Sequence, residues 1–460
     1  MSSAHQGLIL TLQLLLVLPL LWQLGRFLID SRELFSPNTV VAGGFVGLYV
    51  ASYYFADDHA RSAFLTVDGY LDLLLLAVLA CYAFAAGFVL GRGCAGFHER
   101  AFDEPTVRCY AIALIGIGLA SQVAFVAKSG GFLTFYGAPR GAGGAWADTS
   151  AYLYSTSNLT FPAMCLLCGL LARQGLTGLF AQSVFLAALA YSAFHAFVSG
   201  GRGDTILLFL LLVLPPLFLA RRVRVGRPTV LLVTALVLAA VLLLPHVRKA
   251  VYLGAEKSLL EAVGEAFADE AISLDPSKGT GYELFYAAAV VEAAAAENTY
   301  HYGFGWIYPF VNLVPRAWWP DKPYRRDWSM SEFRLVQQHA GWSVSYGAAA
   351  TGVADAFLGF SWFSIAVWLA LGWWSGVIWV RATGTGNVID VARLWAFLVI
   401  AVYFVTQDYI AAWHAWLFFM VPISFVGLLM PATASRPDLG RRTLGSLPGR
   451  SARQLRAPAP

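Results

Sequence analysis

Acidic side chains in apolar surroundings are the first residues of this sequence that could do chemistry. Glu283 lies in the apolar stretch Tyr282–Ala296, and Asp355 lies in a longer apolar run over 346–380. A carboxylate in such surroundings is costly unless it has a partner or a function, so each is a candidate general base or acid. We rank Glu283 first, followed by Asp355 and His301. The alternative is an interfacial carboxylate that is hydrogen-bonded to a tyrosine or to the backbone.

The helical period predicts how the acids of this stretch are arranged. At 100° per residue, Glu283 and Glu297 fall within roughly 40° of each other on a helix, and Glu292 falls on the far side. We therefore expect Glu283 and Glu297 to share one face. The stretch is too short to cross a bilayer comfortably, so we expect a helix that lies against the outer leaflet or dips into it.

Cations beside glycine turns and tryptophans form the second group of chemical residues. The segment 199–204 has the sequence S-G-G-R-G-D, and the segment 314–323 has the sequence V-P-R-A-W-W-P-D-K-P. Guanidinium and ammonium groups bind phosphates, and indole rings stack on sugars or lie among lipid headgroups. We expect a diphosphate-binding cleft whose candidate residues are Arg202, Arg316 and Lys322, then Arg140 and Arg248, with Trp318, Trp319 and Tyr302 beside them. The alternatives are a short turn whose arginine pairs with Asp204, and an interfacial anchor.

A membrane protein has to position these residues. The chain has 460 residues, of which 58% are hydrophobic and only 13% are charged. Apolar runs of about 20 residues recur, and each is long enough to cross a bilayer as a helix. We predict an all-α polytopic fold with about 11 spans, at 8–27, 39–56, 69–90, 109–127, 151–172, 179–198, 205–220, 229–245, 360–380, 394–409 and 413–430. The net charge of +4 is too small to indicate nucleic-acid binding.

Positive charge predicts the orientation of the spans. With the C-terminus in the cytoplasm, most of the 31 lysine and arginine residues fall on the inner side. The short outer loops then contain only Arg61, Lys128, Arg140 and Arg202. Long loops escape the charge rule, so the loop over 246–346 can face outward. The predicted parts are a transmembrane bundle over 1–245, this extracytoplasmic loop with short helices, further spans over 347–431 and a disordered cytoplasmic tail over 432–460.

Several catalytic motifs are absent from the sequence. It has no Walker A loop, no zinc-protease H-E-x-x-H, no G-x-S-x-G and no dinucleotide-binding fingerprint. Nothing therefore points to a nucleotide donor or to ATP-driven pumping. Because several cations could neutralise a diphosphate without a metal ion, we expect no metal and no cofactor.

Taken together, these segments resemble the oligosaccharide repeat-unit polymerases of the Wzy type. The resemblance covers roughly residues 199–371 and rests on segments that occur in the same order. They are S-G-G-R at 199–202, Y-E-L-F-Y at 282–286, Y-H-Y-G-F-G at 300–305, P-R-A-W-W-P-D-K-P at 315–323 and T-G-V-A-D-A-F at 351–357. In the last segment Asp355 stands where the family pattern has a glutamate, which is longer by one methylene.

The resemblance implies a GT-C-like glycosyltransferase that faces outward from the bacterial cytoplasmic (inner) membrane. Its donor and acceptor would be polyprenyl-diphosphate-linked glycans held in the lipid bilayer, and a chain-length regulator would be a further partner. An acceptor hydroxyl would attack the anomeric carbon of the donor with inversion. The product would be an O-antigen, a capsule or an exopolysaccharide.

Three other functions stay open. A transferase that uses a polyprenyl-monophosphate sugar often carries an acidic pair in an early outer loop, and Asp57 and Asp58 lie in one. An O-antigen ligase shares the mechanism and differs in its acceptor. A glycan flippase would instead place ionisable residues near mid-membrane along a path, whereas the candidates here lie at the predicted outer ends of the spans.

Overall fold

The described part of the chain is helical. The computed structural model describes residues 3–56, 61, 64–95, 103–128, 149–174, 179, 182–183, 186–187, 190, 282–307, 310–311, 314, 318–322, 332–341, 349–385 and 387–429. Regular structure in these ranges consists of α-helices with short 3-10 and π-helical pieces, which confirms the predicted all-α class. The spans predicted at 205–220 and 229–245, most of the span at 179–198, and the C-terminal tail lie outside the described residues.

The α-helices whose bounds the structure describes follow one another along the chain. They are α1 (Ser3–Ile29), α2 (Pro37–Phe45), α3 (Ser52–Phe55), α4 (Val67–Cys94), α5 (Glu104–Lys128), α6 (Thr149–Ser157), α7 (Thr160–Gln174), α8 (Tyr282–Ala296), α9 (Glu332–Ala340), α10 (Thr351–Phe360), α11 (Ser364–Thr385), α12 (Val388–Thr406), α13 (Tyr409–Ala415) and α14 (Val421–Leu429). π-Helical turns at Val46–Ala51 and Trp416–Met420 join α2 to α3 and α13 to α14.

Six helical segments of the described ranges are long and apolar enough to cross a membrane. They are Ala4–Ile29, Val67–Cys94, Glu104–Lys128, Thr351–Gly384, Val388–Thr406 and Ala411–Leu429. Each overlaps a predicted span, so the chain has the character of a helical membrane protein. The spans predicted at 39–56 and 151–172 are helical but divided, the first by a π-helical turn and the second between α6 and α7. The count of eleven spans and the GT-C-like arrangement stay predictions.

Two glycine pairs bring α4 and α11 into close contact. Gly87 and Gly91 on α4 face Gly372 and Gly376 on α11, with the same spacing of four residues on each helix. A Cβ added to any of these glycines would lie within 2.2 Å of a carbonyl oxygen of the other helix. Small residues at this spacing let helix backbones approach closely inside a membrane, where van der Waals packing holds helices together.

The same contacts set the relative direction and the register of α4 and α11. Gly372 lies against Phe84 and Gly376 lies against Phe88, so the two helices run in the same direction. Leu369 lies against Gly87 and Trp373 lies against Gly91, and the average of all four contacts puts Ser364, the first residue of α11, level with about residue 79. Since α4 begins at Val67, α11 begins about 18 Å along it. The short helix α10 directly precedes α11 and therefore lies near this N-terminal end of α4.

Arginines gather around a buried carboxylate at the opposite end of the bundle. Glu33 Oε1 lies 2.5 Å from Arg26 Nη2 and 3.4 Å from Arg92 Nη1. Arg26 lies in the last turn of α1, and Arg92 lies in the last turn of α4. The C-terminal ends of these helices are thus adjacent, in the grouping that the charge pattern assigns to the inner side.

Helix α8 has the bounds that its apolar composition indicates, but protein surrounds it. Residues 284–291 are all buried, and the helix packs against α4, α9 and α10. A helix that is apolar around its whole circumference is expected to be buried, and its alanines permit close packing. Instead of lying against a leaflet, α8 forms part of the protein core.

The apolar run over 346–380 is divided into two helices. α10 ends at Phe360, and Ser361 then adopts a left-handed backbone with φ of 53°. A 3-10 turn over Ser361–Phe363 leads into α11, which covers the span predicted at 360–380. The sequence prediction missed α10 as a separate helix because the run contains no proline or charged residue at the break.

Candidate active site

Helix α10 brings together the segments that the sequence analysis singles out. Helix α8 packs against it along the core side. The chain that follows α8 turns back onto the C-terminal end of α10, where the backbone of His301 donates to Leu358 O at 2.8 Å. Gly303 N likewise donates to Gly359 O at 3.0 Å. α8, this turn and α10 therefore form one packed unit, although up to about seventy residues of sequence separate them.

Asp355 links α10 to the turn between α12 and α13. Its Oδ2 accepts a hydrogen bond from Tyr409 N at 2.7 Å, and the residue is half-buried. Asp408, the residue before Tyr409, caps α13 by accepting from Ala411 N at 2.8 Å. The side chain of an aspartate is long enough at position 355 to reach this backbone N–H. The bond orients the carboxylate, which a general base requires.

The start of α10 has a strained backbone and a close helix contact. Thr351 is fully buried and adopts φ of 62°, and its Oγ1 accepts from Tyr49 OH at 2.9 Å. A Cβ added to Gly352 would lie 1.5 Å from Phe404 O on α12. Only glycine fits at position 352, which gives a physical reason for a T-G pair at the entry to this helix.

Glu283 lies in the first turn of α8, where the helix is already inside the protein. The residue is half-buried, and its Oε2 is shielded from solvent. The N-terminus of a helix favours a negative charge. Glu292 lies nine residues further, about 13 Å along the helix axis. The two acids of α8 therefore lie in different regions of the protein.

Glu292 and Glu297 meet at a histidine instead of facing apart. Thr66 Oγ1 donates to Glu292 Oε2, and His339 Nε2 on α9 lies 4.0 Å from Glu292 Oε1. His339 Nδ1 lies 3.8 Å from Glu297 Oε1. The predicted grouping of Glu283 with Glu297 is not observed, because α8 ends at Ala296 and the helical angle does not extend to Glu297. Thr66 and His339 tie α4 and α9 to the end of α8.

Aromatic rings follow one another across the C-terminal end of α10. Ring centroids are 6.3 Å apart for Tyr302 and Tyr300, 5.6 Å for Tyr300 and Phe357, and 5.7 Å for Phe357 and Trp362. Tyr302 and Trp362, at the two ends of the row, are 77% and 52% exposed. Exposed rings beside a polar turn provide flat surfaces that can stack on sugars or lie among headgroups.

Lys322 closes a loop instead of pointing into solvent. The residue is 6% exposed, and its Nζ donates to Val314 O at 2.9 Å. Tyr152 OH on α6 donates to the same oxygen, also at 2.9 Å. Lys322 and Tyr152 thus hold this segment against α6. The role of Lys322 as a diphosphate ligand stays a prediction. Trp318 and Trp319 lie between the two ends of the loop and are 82% and 41% exposed. Their stacking on sugars stays a prediction.

The remaining predicted cations lie outside the described residues. They are Arg140, Arg202, Arg248 and Arg316. Their convergence on one diphosphate stays a prediction. In the part of the chain that the structure describes, no cluster of three or more His, Cys, Asp or Glu residues could hold a metal ion.

Sequence reasoning missed several residues that build the site. Tyr49, Tyr152 and Tyr409 contact its segments from the surrounding helices. For Tyr49 and Tyr152 a tyrosine in an apolar span was a usable signal, because a hydroxyl inside a membrane protein needs a partner. Tyr409 contacts the site through its backbone amide, which has no such signal. No known family model, no curated protein and no solved structure matches the chain.

Proposed function

We propose that this chain is an outward-facing glycosyltransferase that polymerises polyprenyl-diphosphate-linked oligosaccharide repeat units at the bacterial cytoplasmic membrane. The observation that carries the proposal is the packed unit of α8, α10 and the turn at His301. It holds two half-buried acids, Glu283 and Asp355, on short helices inside a helical membrane protein. These are the segments on which the resemblance to the polymerases rests.

The position of this unit in the bundle suits a lipid-linked substrate. The charge pattern predicts that α4 runs from outside to inside, and α10, which contacts α4 and precedes α11, lies within about the first 18 Å of it. That part of a spanning helix crosses the headgroups and acyl chains of one leaflet. The diphosphate of a polyprenyl diphosphate lies in the same leaflet, since its lipid is anchored in the hydrocarbon and its glycan projects into water.

The proposed reaction is a direct displacement at the anomeric carbon of the donor. An acceptor hydroxyl loses its proton to Glu283, or to Asp355, and attacks the anomeric carbon. The bond to the polyprenyl diphosphate breaks, and Arg202 and Arg316 stabilise the charge that develops on the leaving group. In this mechanism the exposed rings of Tyr302 and Trp318 support the sugars.

Polymer size in cells tests the proposal. A strain that lacks the gene receives wild-type protein, Glu283→Gln or Arg316→Ala, and surface glycans are separated by size on a gel. We expect a ladder of repeat units with the wild type and a collapse to single units with either variant. The proposal would be refuted if both variants, at equal protein levels in the membrane, left polymer length and amount unchanged.

A further inference from the structure

A chain of polar contacts crosses three helices and ends at the start of α10. Tyr54 OH donates to Gln13 Oε1 at 2.8 Å, and Gln13 Nε2 donates to Tyr70 OH at 3.0 Å. Tyr70 OH donates to Tyr49 O at 2.8 Å. Tyr49 OH then donates to Thr351 Oγ1 at 2.9 Å. The chain links the segment that carries Tyr49 to α1 and α4, and it delivers one buried hydroxyl to the first residue of α10.

The residue at the end of this chain is held in an unfavourable conformation. Thr351 has a left-handed φ of 62°, which β-branched residues rarely adopt unless the surrounding contacts impose it. The bond from Tyr49 is one such contact, and the approach of Gly352 to Phe404 O is another. Backbone strain of this kind is maintained at sites where position matters.

The constraint at Thr351 extends to Asp355. The two residues are one helical turn apart, about 6 Å along the axis of α10. The carboxylate of Asp355 accepts a hydrogen bond from Tyr409 N at 2.7 Å, and Tyr49 OH bonds Thr351 Oγ1 at 2.9 Å. Tyr49 and Tyr409 therefore hold α10 from two other helices, and a rotation of its first turn would displace the carboxylate.

We propose that Tyr49 is a positioning residue for the glycosyl transfer, acting through Thr351 to keep the Asp355 carboxylate in the geometry that the reaction needs. Tyr49 is fully buried, so the role proposed for it is positioning and not contact with the substrate. The inference rests on the proposed function, and it identifies Asp355 as the acid whose orientation α10 controls.

Hydrogen exchange on the full-length protein tests the structural part of this proposal. Tyr49→Phe removes only the hydroxyl that bonds Thr351. We expect amide exchange across α10 to rise roughly 5–10-fold, the effect of losing one buried hydrogen bond. The matched control is Tyr53→Phe, since the Tyr53 ring stacks on Tyr70 at 4.7 Å and the phenyl ring keeps that contact. Equal exchange of α10 in both variants would overturn the proposal.

Kinetics of the reconstituted protein test whether Tyr49 acts through the carboxylate. With lipid-linked repeat units as substrate, Tyr49→Phe should lower kcat roughly 5–10-fold and leave the acceptor KM within about twofold. In an Asp355→Asn background, Tyr49→Phe should lower kcat by less than about twofold, because the carboxylate that Tyr49 positions is already absent. Full additivity of the two losses would contradict action through Asp355.

Conservative changes at Thr351 complete the test. Thr351→Ser keeps the hydroxyl and should retain the wild-type rate, whereas Thr351→Val should match Tyr49→Phe. A wild-type rate in Thr351→Val, or a rate in Thr351→Ser as low as that of Tyr49→Phe, would overturn the proposal. If exchange in α10 rises as expected but the wild type makes no polymer, the proposed function fails and the role of Tyr49 in the reaction fails with it.

Discussion

The contact between Gly352 and Phe404 predicts a large effect from a single methyl group. In Gly352→Ala the new Cβ would lie 1.5 Å from Phe404 O, whereas ordinary contact begins at 3.4 Å. Because the obstacle is backbone, α10 has to move away from α12 by about 2 Å. A shift of that size breaks the 2.7 Å bond between Tyr409 N and Asp355 Oδ2. Overpacking and the lost bond together cost roughly 2–4 kcal/mol.

Thermal unfolding of the detergent-solubilised protein measures this cost. We expect the apparent melting temperature of Gly352→Ala to fall by at least about 4 °C, together with loss of polymerisation. Gly116→Ala is the matched control, because Gly116 lies within α5 and no atom lies within 4 Å of its added Cβ. That change should be neutral or slightly stabilising. If Gly352→Ala melts like the wild type and stays active, the close approach of α10 to α12 is wrong.

Three further predictions concern other parts of the structure. Gly91→Leu should lower the apparent melting temperature of the solubilised protein, and Gly93→Leu should not, since only Gly91 lies against α11. Lys322→Met should open its loop and speed chymotryptic cleavage at the exposed Trp318; an unchanged cleavage rate would contradict the loop-closing role. Glu283→Gln should slow polymerisation at least about 100-fold with an unchanged melting temperature; a near-normal rate would exclude Glu283 as the base.

The sequence was sufficient for the helical membrane class and for the extent of α8. Apolar runs and their lengths carry that information directly, because the bilayer sets the length of a span. The environment of α8 was harder to predict from the sequence. Its lack of a polar face indicated burial, but only the packing of α4, α9 and α10 shows that protein, and not lipid, surrounds it.

The hydrogen bonds of Lys322 and Asp355 could not be predicted from the sequence, because their partners are backbone groups. Lys322 bonds the carbonyl of Val314, and Asp355 bonds the backbone amide of Tyr409. Any residue type supplies such a carbonyl or amide, so spacing alone could not predict either bond. The opposed glycines of α4 and α11 differ in this respect. Their four-residue spacing is visible in the sequence, and the small-residue rule for membrane helices would have found them.

Purified protein in vesicles that contain a labelled polyprenyl-diphosphate-linked repeat unit provides the decisive test of polymerisation. We expect the label to move into a ladder of longer lipid-linked glycans, and Glu283→Gln to leave it in single units. Label that crosses the bilayer without any increase in glycan length would contradict polymerisation and would indicate a transporter.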